Sequence, residues 1–175
     1  MGWRAGVGAG AGRSMARGFR VGYGHDLHRL QAGGKLLLGG VEVAEGISPV
    51  AHSDGDVVIH ALVDALLGTI GGGDIGDAFA NTDARWKGAA SRVFLDEALG
   101  RVRAAGWRVG NVDVLILAEK PKIGRFKPVI AGQLADWLGV EAGAVNVKAG
   151  TNEGCDAIGR GEAIAATVVV LVERA

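Results

Sequence analysis

Residues 19–23 alternate apolar and polar side chains, the period-two signature of a half-buried strand, and residues 35–43 also read as strand, turning at Gly39-Gly40 as a hairpin does. Farther on the rhythm changes. Val, Ile, Leu and Ala dominate the stretch up to Leu67, with Ser53 or Asp54 placed to cap it and Gly68 placed to stop it, which predicts a buried helix. Residues 89–105 and 128–138 predict two more helices, closed by Gly106 and Gly139. Residues 111–117 read as a central strand, and 145–149 and 162–173 as the last two strands. No repeat or linker divides the pattern. It predicts one α+β domain over 19–175, a mainly antiparallel four-stranded sheet with helices on one face. The run 164–172 is apolar at nearly every position, as in a strand covered on both faces, and it is too short to cross a bilayer.

Three polar residues break the first helix. Asp56, His60 and Asp64 recur at four-residue spacing and share one face. The plain alternative is a solvated face with His60 exposed, but the rest of the helix is too apolar to leave room for one. A buried Asp/His/Asp stripe is costly unless each group is paired or bound to something. A partner exists upstream, where Asp26-Leu27-His28 on an extended segment points Asp26 and His28 to one face. Asp26, His28 and His60 together suit a zinc ion with an open fourth position, the arrangement of a catalytic site. Asp64 or Asp56 is then expected to orient the His60 ring.

Bulk properties narrow the classes. The chain has 175 residues and a formal net charge of zero, which argues against a nucleic-acid surface. Its single cysteine, Cys155, excludes an internal disulfide and fits a reducing, cytoplasmic compartment. Residues 1–18 are rich in Gly, Ala and Arg without an apolar segment, and read as a disordered leader or as sequence upstream of a start at Met15.

Other segments add chemistry. His52-Ser53 precedes a helix, where free N–H groups favour an anion such as phosphate. Gly71-Gly72-Gly73-Asp74-Ile75-Gly76-Asp77, followed by Asn81-Thr82-Asp83, reads as a substrate loop offering carboxylates to polyol hydroxyls. In the loop after 148, Glu153 is placed to hold a second, oxygen-loving cation, and Arg160 to grip a phosphate.

Taken in order, these segments resemble the 2-C-methyl-D-erythritol 2,4-cyclodiphosphate synthase family of non-mevalonate isoprenoid biosynthesis. The resemblance rests on Arg20 through His28, Leu38-Gly39-Gly40-Val41, and above all Ala51-His52-Ser53-Asp54-Gly55-Asp56 continuing to His60 and Asp64. It runs on through Gly73-Asp74-Ile75-Gly76, Thr82-Asp83, Asn111-Val112-Asp113, Pro121-Lys122, Val145-Asn146-Val147-Lys148 and Gly159-Arg160-Gly161-Glu162. It implies a homotrimer, its sheets packed together and its sites at subunit interfaces. The implied reaction cyclises 4-diphosphocytidyl-2-C-methyl-D-erythritol 2-phosphate and releases CMP. By match, Asp26, His28 and His60 hold zinc, Glu153 holds magnesium or manganese, and His52 and Thr151 stabilise the transition state. Substrate contacts fall on Asp26, Leu27, His28, His52, Ser53, Asp74, Ile75, Gly76, Thr82, Asp83 and Arg160. The cytidine and diphosphate pocket falls on Ala118, Pro121, Lys122, Gly150, Thr151, Asn152 and Glu153. The chain departs from the family in lacking a Thr-rich run at Gly150-Thr151-Asn152 and an aromatic at Ala157. A zinc-dependent phosphohydrolase would use the same ligands to activate water, whereas a module merely stabilised by metal would need a fourth protein ligand, and the only unassigned histidine, His25, is adjacent to the motif.

Overall fold

A computed structural model describes residues 18–80, 86 and 88–175, so the 1–17 segment and the Thr82-Asp83 pair lie outside the described residues. Strand β1 (Phe19–Leu38) is 20 residues long and serves two neighbours. Its first half, Phe19 to Arg29, pairs antiparallel with β5 (Ala163–Arg174), and its second half, from Leu30, pairs antiparallel with β2 (Val41–Pro49). On the other side of β5 lies β3 (Trp107–Leu117), antiparallel, and then β4 (Val145–Gly150), parallel to β3. The order is β2-β1-β5-β3-β4.

The sheet is therefore mainly antiparallel, but five-stranded rather than four-stranded. The reason is local. The stretch 35–43, read as one segment turning at Gly39-Gly40, contributes to two strands: its residues through Leu38 end β1, and those from Val41 open the edge strand β2.

Helix α1 (Val57–Ile70) lies across β1 and β5, α3 (Ser91–Ala104) packs on α1, and α4 (Lys127–Leu138) packs on β4. Two short helices, α2 (Ile75–Ala78) and α5 (Asp156–Gly159), sit in loops. The cap of α1 is Asp56 rather than Ser53 or Asp54: its carboxylate accepts from the N–H groups of Val58 and Ile59. It also accepts from Gly39 at 2.9 Å and Gly40 at 2.7 Å, so one buried side chain fastens the β1–β2 turn to the helix start. Both glycines have positive φ, as a two-residue hairpin turn requires. The helix stops at Gly71, not Gly68, because Gly71 adopts the left-handed conformation and returns its N–H to Gly68 and Leu67.

Side chains on the helix-facing side of the sheet are buried. Val112, Val114 and Ile116 of β3 and Val168, Val170 and Val172 of β5 have no exposed surface. They meet Leu62, Leu66 and Leu95, each contributing about 1.5–3 kcal/mol by leaving water. The opposite side is open: Phe19 and Tyr23 of β1 are two-thirds exposed, and Val21, Leu27 and Val169 are exposed beside them. Among the described residues, no helix is long and apolar enough to cross a membrane.

Candidate metal centre

Two glycines set the distance between strand and helix. Gly22 and Gly24 share the helix-facing side of β1 with Asp26 and His28, because strand side chains alternate. A Cβ on Gly22 would collide with the Ala65 carbonyl oxygen, and one on Gly24 with that of Ala61. Their absence lets α1 settle directly on β1, which carries His60 to Asp26 and His28.

The three side chains meet. His60 Nδ1 lies 2.9 Å from Asp26 Oδ2, His28 Nε2 lies 3.1 Å from the same oxygen, and the two nitrogens are 3.2 Å apart. Donors 2.0–2.1 Å from a tetrahedral zinc are about 3.3 Å apart, so the triangle matches three corners of that site in size and in ligand type. No other cluster of three such residues occurs among the described residues. Burial by itself raises the Asp26 carboxyl, but hydrogen bonds from His28 and His60, with their charge, outweigh it and hold the group well below the usual carboxylate range.

Neither expected helper orients His60. Asp56 is committed to the hairpin and the helix cap, and Asp64 accepts from the Ile75 N–H at 2.7 Å. Burial pushes both carboxyls upward against those hydrogen bonds. The far nitrogen of the ring instead meets two hydroxyls, Ser91 Oγ at 2.9 Å and Ser53 Oγ at 3.1 Å. Nothing in the sequence singles out Ser91, because a lone serine opening a helix carries no periodic signal.

The loops after β3 and β4 leave the sheet side by side, level with the metal triangle. Leu27 pairs with Ala165, Ala165 with Leu117, and Leu117 with Gly150, so one row crosses four strands. Three strand spacings separate β1 from β4 by about 14 Å. The Ala118 and Gly150 loops leave that row together, joined by the Ala118 N–H to the Gly150 carbonyl at 3.1 Å. Pro121 and Lys122, with Gly124 and Arg125, line a cleft of about 280 Å³. Thr151 Oγ1 donates to Glu153 Oε1 at 2.9 Å, and Glu153 has a φ of 51° that presents its carboxylate on a tight turn. Arg160 is engaged in a two-pronged pair with Glu162, and Asn152 donates to Asp156. His52 is exposed, with its carbonyl held by the Gly88 N–H, and Asp74 caps α2. Ile75 and Gly76 open α2. Within one chain, then, Asp26, His28 and His60 come together, while Thr151 and Glu153 stand in the loop after the far strand, β4. A larger cleft of about 700 Å³, between α3, β3 and the end of α4, contains none of these residues.

Asp26 and His28 from a strand and His60 from a helix thus form a candidate metal-binding triad on a single α+β domain, consistent with a metal-dependent enzyme. Residues 19–173 match the YgbB family, and the chain belongs to that family. Over 156 residues it is 51% identical to 2-C-methyl-D-erythritol 2,4-cyclodiphosphate synthase of Bordetella avium (strain 197N), covering 89% of this chain and 96% of that one. Its fold aligns with the bifunctional IspDF from Campylobacter jejuni at a TM-score of 0.88 and 36% identity, over 91% of this chain and 43% of the longer bifunctional one. It aligns with the CDP complex of IspF from Plasmodium falciparum at a TM-score of 0.79 and 30% identity, over 90% and 97% of the two chains.

Proposed function

We infer that this protein is a cyclodiphosphate synthase of isoprenoid biosynthesis that converts 4-diphosphocytidyl-2-C-methyl-D-erythritol 2-phosphate into 2-C-methyl-D-erythritol 2,4-cyclodiphosphate and CMP. The observation that carries the reading is the Asp26–His28–His60 triangle, with edges of 2.9 to 3.2 Å, in a chain half identical to a synthase of that name. A zinc ion in the triangle would hold and neutralise phosphate oxygens through its open position, with magnesium or manganese at Glu153 as the second cation.

The substrate supplies its own nucleophile. An oxygen of its 2-phosphate attacks the β-phosphorus, the new P–O bond closes the ring, and the bond from that phosphorus to the bridging oxygen breaks to release CMP. The leaving phosphate needs no proton, and the attacking oxygen is already anionic. The protein's task is therefore to position two anionic groups and offset their repulsion. His52, Ser53 and Thr151 reach the phosphates as donors, with His52 and Thr151 steadying the transferring group. Asp74, Ile75, Gly76, Thr82 and Asp83 frame the erythritol. Ala118, Pro121, Lys122, Gly150, Asn152 and Arg160 form the cytidine and diphosphate pocket, in keeping with a relative solved with CDP. Since Glu153 and the triangle are strands apart in one chain, a complete site takes the triangle from one subunit and the Glu153 loop from its neighbour in a homotrimer.

The reaction is tested by incubating the protein with the cytidine substrate, zinc and magnesium and following products by phosphorus NMR. A cyclic diphosphate and CMP are expected. Free inorganic phosphate in their place would mean a phosphohydrolase.

A further inference from the structure

Ser91 is a buried hydroxyl, 1% exposed, at the first turn of α3, a helix that contributes no metal ligand. The residue before it, Ala90, has no side chain able to cap the helix, and Asp54 does so from another segment: its Oδ2 accepts the Ser91 N–H at 2.9 Å. Its Oδ1 accepts a hydrogen bond from the Ser91 hydroxyl. With that proton committed, only lone pairs of Ser91 Oγ face His60 Nε2, 2.9 Å away. The contact can then be a hydrogen bond only if Nε2 carries the proton and donates. With Nε2 holding its proton for Ser91, the proton that Nδ1 shares with Asp26, 2.9 Å away, is the one a metal ion displaces, and the Nδ1 lone pair it leaves lies 3.2 Å from His28 Nε2.

We propose that Ser91, braced by Asp54, is a positioning residue that locks His60 in its Nε2-protonated tautomer and so makes Nδ1 a ready metal ligand. This rests on the zinc reading of the triangle. The Asp54–Ser91–His60 chain is the carboxylate-to-imidazole support that metal-binding histidines commonly use, with a hydroxyl inserted between. It also sorts the two serines. Nε2 has one proton, Ser91 takes it, and the Ser53 hydroxyl, 3.1 Å from the same nitrogen, keeps its own proton for a substrate phosphate. The brace ties two loops to the metal as well. The Asp54 N–H bonds the Ala89 carbonyl at 3.2 Å, and the Gly88 N–H bonds that of His52 at 2.7 Å, so the segment ahead of α3 moves with the support of His60.

Nitrogen-15 NMR of the zinc-loaded protein, labelled at histidine, reads the tautomer directly. The His60 proton is expected on Nε2, and a proton on Nδ1 overturns the proposal without any variant. Ser91→Ala deletes the hydroxyl yet keeps the backbone N–H that Asp54 caps. Competition with a chelator should show its zinc affinity lowered about tenfold or more, with a shifted cobalt(II) visible spectrum and a metal-free melting curve close to the parent's. Asp54→Asn should weaken zinc less, because Ser91 remains. Ser91→Ala with the parent's zinc affinity and cobalt spectrum overturns the brace; if that variant does not fold, unchanged zinc affinity in Asp54→Asn does so. A parent protein that binds no zinc at all would instead defeat the metal reading.

Discussion

His60 joins the apolar interior to the chemistry: it is 8% exposed, edge-on to His28 with ring centroids 5.3 Å apart, and backed by Phe94. Replacing it with Ala removes one of three ligands while Leu62, Leu66 and the other apolar residues of α1 keep the helix seated. His60→Ala is therefore expected to lose zinc and nearly all turnover yet melt cooperatively; metal analysis finding a full complement of zinc would refute the assignment. Glu153 is a different test. Glu153→Gln keeps the shape of the loop but removes a charge from the proposed hard-cation site, so zinc should stay while the magnesium needed for half-maximal rate rises several-fold. A magnesium titration identical to the parent's would count against the role. The ligand set was legible in the sequence because an Asp-x-His pair on a strand and a histidine in an apolar helix each violate the local pattern. The support of His60 was not. Asp54 resembles an ordinary cap and Ser91 an ordinary helix start, and only tertiary contact distinguishes them.

At the scale of elements, the active geometry depends on how closely α1 approaches β1. Gly24→Ala places a methyl group against the Ala61 carbonyl, where neither backbone can yield cheaply. A loss of about 1–3 kcal/mol is expected, as for an overpacked core, with weaker zinc binding because His60 is pushed off the strand. Urea titration and zinc affinity should fall together, and a variant as stable and as tight as the parent would mean the helix has slack. A second clasp joins β3 to β4, where Asp113 accepts from Lys148 and Asn146. The Lys148 hydrogen bond lowers the Asp113 carboxyl below its ordinary value, although burial opposes it. A depressed carboxyl stabilises the fold above the unfolded value of about 3.9, and that stability is lost as pH falls through the lower folded value. Asp113→Asn should flatten this acid limb, by under about 1 kcal/mol since both groups are solvent-screened. Sequence patterning located the helices well because Gly139 and the long apolar runs mark them. It misplaced the start of α1 because Ser53, Asp54 and Asp56 all qualify as caps. The choice of Asp56 is made by Gly39 and Gly40, which are distant in sequence.

For the whole molecule, one chain carries two incompatible surfaces. The side of the sheet away from the helices exposes Phe19, Val21, Tyr23, Leu27 and Val169 together, a patch that a lone soluble domain would not normally leave in water. The proposed site is also split, with the triangle on β1 and α1 and Glu153 following β4, about 14 Å across the sheet. The proposed packing of three open faces around a common axis would resolve both problems, covering the patch and bringing the Glu153 loop of one subunit to the triangle of the next. Sedimentation at working concentration is expected to give three times the mass of one chain. The sharper test separates assembly from metal binding. A charge in the middle of the patch, Tyr23→Glu with Val169→Glu, should yield a monomer. The triangle lies within one chain, so that monomer should still take up one zinc ion. Its turnover should nonetheless drop about a hundred-fold or more, because the groups meant to act together are no longer held in reach. A monomer that keeps full activity would place the whole site in one chain and overturn the interface reading, whereas a monomer without zinc would show that the neighbour shapes the triangle too.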